Sequence, residues 1–86
     1  MTLPLFIDIH EALPDGATAA DVANAHKADQ AKQDAYGVTY LKYWVDEKDH
    51  KAFCLVDAPT ADAAMRVHRE AHGLVANRIH EVVEGS

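Results

Sequence analysis

Val38-Thr-Tyr-Leu-Lys-Tyr-Trp-Val45, Asp46-Glu-Lys-Asp-His-Lys51 and Ala52-Phe-Cys-Leu-Val56 run consecutively and decide the fold. The first run is rich in β-branched and aromatic residues and reads as a strand. The charged middle reads as a hairpin loop, and the third run as the strand that follows it. Outward on both sides lies one helix-sized segment. Upstream, an alanine-rich helix is expected from Thr18 to Tyr36, with Gly37 stopping it. Thr18, with Asp21 three residues on, resembles a capping box in which aspartate replaces glutamate, and Pro14-Asp15-Gly16 marks the loop before it. Downstream, Ala58-Pro59-Thr60 opens a second helix that Gly73 ends. Leu5 to Ile9 alternates, with Leu5, Ile7 and Ile9 on one face and Phe6, Asp8 and His10 on the other. Ile79 to Val83 reads as a last strand. The order is βαββαβ, an α+β pattern expected to form a ferredoxin-like sandwich. Its four-stranded antiparallel sheet carries both helices on one face.

Eighty-six residues make one domain, spanning 1–86, and leave no room for a second core. Alanine supplies much of the 49% hydrophobic fraction, so burial per residue is modest. A dimer interface or a bound metal often stabilises domains this small. The formal charge of -6 argues against nucleic acid, because no basic stripe offsets phosphate repulsion. The single cysteine, Cys54, excludes an intrachain disulfide and fits the cytoplasm. Flanked by Phe53 and Leu55, it reads as a small buried hydrophobe. The apolar start is interrupted by Asp8 and has no basic leader, so a strand is expected there rather than a signal peptide. No run reaches membrane-spanning length.

The functional clue lies in the histidines. Thr18 precedes His26 by eight residues, and Thr60 precedes His68 by the same offset. The two βαβ halves of this fold are related by a pseudo-twofold axis, so such positions should face each other across it. On the first helix, Asp29 falls midway between Val22 and Tyr36 and on their stripe, with His26 one turn earlier at its edge. An aspartate at the centre of a buried face needs a partner. On the second helix, His68 and His72 fall inside the arc of Ala64, Met65, Val67 and Ala71. Two imidazoles at i and i+4 share a face, the spacing by which H-E-x-x-H helices chelate zinc. Here Arg69 occupies the glutamate position, so a zinc-protease reading has no support. Asp8 and His10 add a further pair on one strand face.

The competing reading makes these residues core or interface groups that hydrogen-bond to one another. His50 is expected in solvent and His80 on the exposed face of the last strand, while Tyr40, Tyr43 and Trp44 read as sheet packing. Imidazole and carboxylate without thiolate suit Zn, Ni, Co, Cu or Fe(II).

Taken together, Asp8-Ile-His10, Ala25-His26-Lys-Ala-Asp29, Tyr36-Gly37-Val38, Phe53-Cys54-Leu55 and His68-Arg-Glu-Ala-His72-Gly73 resemble a family of short bacterial proteins. One actinobacterial member of that family is described as nickel-binding. The resemblance covers nearly the whole chain and implies a ferredoxin-like fold that dimerises through its sheet, as in α+β barrels. It also implies several nickel ions per dimer, and it carries over to Asp8, His10, His26, Asp29, His68 and His72 as motif positions.

Two functions are therefore expected to compete. In the first, a non-catalytic cytoplasmic homodimer sequesters, buffers or senses Ni2+, with Zn2+ or Co2+ as alternatives, through those six residues. In the second, a small dimeric α+β-barrel enzyme (an isomerase, cyclase or monooxygenase) uses His26, Asp29 and His68 for acid–base work, with His68 near neutral pKa as the base. No substrate-binding motif accompanies the second.

Overall fold

The computed structural model describes residues 3–85. Its elements run β1 (Leu5–His10), α1 (Ala19–Lys32), a 3-10 turn (Gln33–Tyr36), β2 (Thr39–Asp46), β3 (Lys51–Asp57), α2 (Ala61–Ala71) and β4 (Arg78–Val82). All strand pairs are antiparallel and the sheet order is β2-β3-β1-β4, the expected ferredoxin-like arrangement.

The local signals act as the sequence predicts, with three shifts. Thr18 caps α1 through a capping box in which its side chain and that of Asp21 each accept from the other's backbone N–H. Thr60 caps α2 by accepting from the Ala63 N–H. The first helix does not run to Tyr36. The Gln33 carbonyl accepts from Val38 N–H, and the Gln33 side chain accepts from Tyr40 N–H at 2.9 Å, so the chain tightens into a 3-10 turn. Gly37 then takes φ 67, a left-handed conformation open to glycine without cost. The second helix ends at Ala71, leaving His72 as its non-helical cap with φ -149. The last strand starts one residue early, and Val83 lies outside it, 95% exposed.

Alternation along β1 turns Phe6, Asp8 and His10 towards the helices, while Leu5, Ile7 and Ile9 face the open side of the sheet. In β2 the register slips between Tyr40 and Lys42, a bulge at Leu41. Residues three apart normally point to opposite faces of a strand. The inserted residue instead puts both Tyr40 and Tyr43 under the helices, against Val56 and Cys54. The expected aromatic cluster is thus divided, and Trp44 stands on the open face, 51% exposed, opposite Phe53.

The core between sheet and helices is small: Phe6, Val38, Tyr40, Cys54, Val56, Ala58, Ala64 and Val67. Four charged or polar residues share it, Asp8, His10, Asp29 and His68. The α1 segment has Val22 as its one bulky aliphatic, and Asp29 is its buried residue. Its docking therefore leans on what Asp29 touches.

Candidate metal centre

Three elements converge on one imidazole. His68, on the buried face of α2 and 1% exposed, has Nδ1 2.9 Å from Oδ1 of Asp29 on α1 and Nε2 2.9 Å from Oδ2 of Asp8 on β1. Ionised carboxylates only accept hydrogen bonds, so both ring nitrogens donate and His68 is an imidazolium. Each aspartate also meets a second histidine. Asp29 Oδ1 lies 3.0 Å from Nε2 of His72, and Asp8 Oδ1 lies 3.3 Å from Nε2 of His10. These outer contacts are close but misaligned, and Asp8 Oδ1 and His72 Nε2 stay buried without a true hydrogen bond. Tyr40, buried beneath, donates to Asp8 Oδ2 at 3.3 Å or to the Ala64 carbonyl at 3.0 Å.

The electrostatics follow from this clamp. Burial opposes charge on His68, but the hydrogen bonds to Asp29 and Asp8 outweigh it and push its pKa up to about 11. Burial likewise works against ionised Asp8, and His10 and His68 overcome it, holding its carboxyl at about 2. Asp29 is held below the usual carboxylate range in the same way, by His68 and His72 against its burial. Burial pushes the Cys54 thiol up to about 11, and burial together with the Asp8 charge raises Tyr40. At neutral pH the centre holds two carboxylates around one cation.

Among the described residues, potential ligand atoms fall into two sets, each within 4.8 Å: Asp8, His10, Cys54 and His68, and Asp29, His68 and His72. Bonds of about 2.1 Å from a transition metal place adjacent ligands roughly 3 Å apart. Asp29 Oδ1 is spaced in that way from His68 Nδ1 and His72 Nε2, at 2.9 and 3.0 Å. A divalent ion that displaces the shared protons thus finds its donors already gathered. The Leu74 N–H donates to His72 Nδ1 at 3.1 Å, so the ring carries its proton on Nε2. A metal held by His72 through Nε2 would require the ring proton on Nδ1, at the expense of the Leu74 bond, and would so couple the site to the turn after α2.

Five of the six expected positions therefore meet. His26 belongs to neither set: its ring lies against Tyr43 with centroids 4.7 Å apart, and its buried Nδ1 has no partner. Burial lowers its pKa despite the nearby Asp29 charge. The repeated Thr-to-His offset thus leads to two different environments. Tyr40 and Cys54 look like packing residues in the sequence, yet Cys54 belongs to one set and the Tyr40 hydroxyl reaches Asp8 beside it. The alternation of β3 places Cys54 beside Asp8 in the register, but only the paired strands reveal it. A cavity of about 290 Å³ reaches the cluster past His10, His26, Asp29, Cys54, His68 and His72, with Leu13, Val22 and Leu74 among its apolar walls. His50 and His80 are exposed, as expected, and belong to neither set.

Comparison with known proteins agrees on fold and family. A family model described as "Nickel responsive protein SCO4226-like" matches residues 6–82. The crystal structure of SCO4226 from Streptomyces coelicolor A3(2) superposes with a TM-score of 0.87 at 34% sequence identity. That match covers 95% of this chain and 99% of the other. No curated protein matches the chain.

Proposed function

This chain belongs to the SCO4226-like family of nickel-responsive proteins, and from that premise we propose that it is a non-catalytic Ni2+-binding protein. Its ligands are drawn from Asp8, His10, Asp29, His68 and His72, and it sequesters, buffers or senses the ion in the cytoplasm. The observation that carries this reading is the pair of buried aspartate–histidine sets on His68, each with one polar atom that lacks a hydrogen bond. A purely structural ion-pair network gains most when every such atom is satisfied. Imidazole and carboxylate donors suit Ni2+, Co2+ and Zn2+ alike, so the preference for nickel rests on the family. His26 serves as a wall of the approach cavity, or as a further ligand after a rotation of its ring.

The acid–base enzyme reading draws on the cavity but loses its proposed base. An imidazolium held at about 11 has no lone pair to offer at neutral pH. A homodimer fits the open face of the sheet, where Ile7, Ile9, Phe53, Leu55 and the half-exposed Trp44 form an apolar surface that no helix of the described residues covers.

Calorimetric titration of untagged protein with Ni2+, Co2+ and Zn2+ tests the reading. Tight, saturable Ni2+ binding is expected, lost in the His68→Ala, His72→Ala double variant. Unchanged stoichiometry in a variant that circular dichroism shows to be folded would overturn it.

A further inference from the structure

The cavity is larger than an approach for a single ion needs. Its volume of about 290 Å³ is roughly twice the ~150 Å³ at which an engineered core cavity takes up benzene. A body of two fused rings therefore fits. The walls are apolar over much of their extent, with Val22 and Ala25 from α1, Ala52 from β3, and Leu13, Pro14 and Leu74 from the loops.

The charges along the cavity are nearly all of one sign. Asp15, Asp21 and Asp29 line it, and no lysine or arginine of the described residues does. The one cation in the wall, the His68 imidazolium, is already held by Asp29 and Asp8 together. Two carboxylates around one imidazolium leave the metal-free cluster with excess negative charge. Buried charge is tolerated when it is paired, and a positively charged occupant supplies the pair. His26 adds a directed contact. Its ring lines the cavity, lies against Tyr43 and keeps a buried Nδ1 that has no hydrogen-bond partner. Burial lowers its pKa, so the ring is neutral at neutral pH and can present a lone pair at Nδ1. Asp29 follows one helical turn later on α1. Tyr43 contributes an aromatic ring, a group that attracts cations.

We propose that this cavity binds a monocationic organic amine, whose two-ring apolar body packs against Val22, Ala25 and Leu74 while its ammonium donates to His26 Nδ1 and pairs with Asp29. The site does not rest on the metal-binding reading, because the charge it answers belongs to the metal-free cluster. Carboxylate and phosphate compounds are excluded by that same charge. A neutral alcohol of the same shape gains the apolar contact and lacks the ion pair.

Three probes of one shape separate these contributions: naphthylmethylammonium, naphthylmethanol and naphthoate. Each is titrated calorimetrically into untagged protein freed of metal with a chelator. The ammonium should bind saturably, one per chain, and the alcohol at least about tenfold more weakly, since hydrogen bonds to charged groups are the stronger kind. Naphthoate should not bind. Ala25→Phe fills the cavity and should abolish ammonium binding. His26→Phe keeps an aromatic ring against Tyr43 but loses Nδ1, and should weaken the ammonium about tenfold. In NMR spectra the ammonium should shift the Val22 and Leu74 methyl signals and leave the indole of Trp44, on the open sheet face, unmoved. Alcohol or naphthoate binding as tight as the ammonium overturns the proposal. So does an ammonium that shifts Trp44 rather than Val22, keeps its affinity in either folded variant, or fails to bind. Should a variant fail to fold, the order of the three probes and the shifts in the wild-type protein decide.

Discussion

Nε2 of His68 on α2 lies 2.9 Å from Oδ2 of Asp8 on β1, across sixty residues of chain. Asp29 on α1 holds the other ring nitrogen at the same distance. One imidazolium thus fastens both helices to β1, an inner strand of a domain whose apolar core is small. The same clamp that stabilises the apo fold gathers the ligands proposed for the metal, so protons and metal ions compete for one set of atoms.

Stability should depend on pH from both directions. The folded His68 pKa of about 11 lies above its ordinary 6.5, so its contribution is full below that value and fades as pH rises towards 11. Asp8, held at about 2 against an ordinary 3.8, contributes fully above that value and fades as pH falls. Urea midpoints of the metal-free protein should therefore be highest between these ordinary values and decline on each side. A midpoint that climbs from neutral to alkaline pH would rule out the clamped imidazolium.

Removing the cation should cost more than removing a cap. His68→Ala leaves two buried carboxylates facing each other, and breaking a buried pair costs about 3–5 kcal/mol. Thr18→Ala removes half of a solvent-exposed capping box, worth roughly 1 kcal/mol. Equilibrium denaturation of both variants measures the difference. Equal losses would mean that the clamp contributes nothing beyond ordinary packing.

Tyr40→Phe removes the hydroxyl that serves Asp8 and the Ala64 carbonyl in a fully buried position. Leaving such acceptors short of a donor costs about 1–3 kcal/mol. Ni2+ stoichiometry should stay the same, because Tyr40 is in neither ligand set. A changed stoichiometry would make the tyrosine part of the site.

Metal affinity should keep rising above neutral pH. A ligand must be deprotonated to bind, and Asp8 and Asp29 hold the His68 protons well past the ordinary imidazole range. Ni2+ titrations across a pH series report the slope directly. An affinity that levels off near the ordinary imidazole pKa would show that His68 is not a ligand.

The open face of the sheet should carry the dimer. Trp44→Glu puts a charge on the β2 edge of the apolar surface, opposite Phe53, and should yield monomers in sedimentation equilibrium. An unchanged assembly, or a wild-type monomer, would remove the sheet-face interface.

Much of this was legible in the sequence because local rules governed it. Thr18 with Asp21 and Thr60 marked the helix starts, Gly37 and Gly73 the stops, and the charged run from Asp46 to Lys51 the hairpin. Period-two alternation put Asp8 and His10 on one face, and a 3.6-residue repeat put Asp29 and His68 on buried faces. Such signals are set by backbone geometry within a few residues, and no distant partner is needed to read them. The tertiary structure alone decided the rest. The bulge at Leu41 turned Tyr40 and Tyr43 inward together, the strand register brought Cys54 beside Asp8, and the helix packing left His26 against Tyr43 rather than among the ligands. It also set His68 between two carboxylates instead of one, which changed it from a neutral-range base into a fixed cation. Facing direction is a property of one element. Which atoms of two elements meet depends on register and crossing, and those are fixed only when the whole core closes.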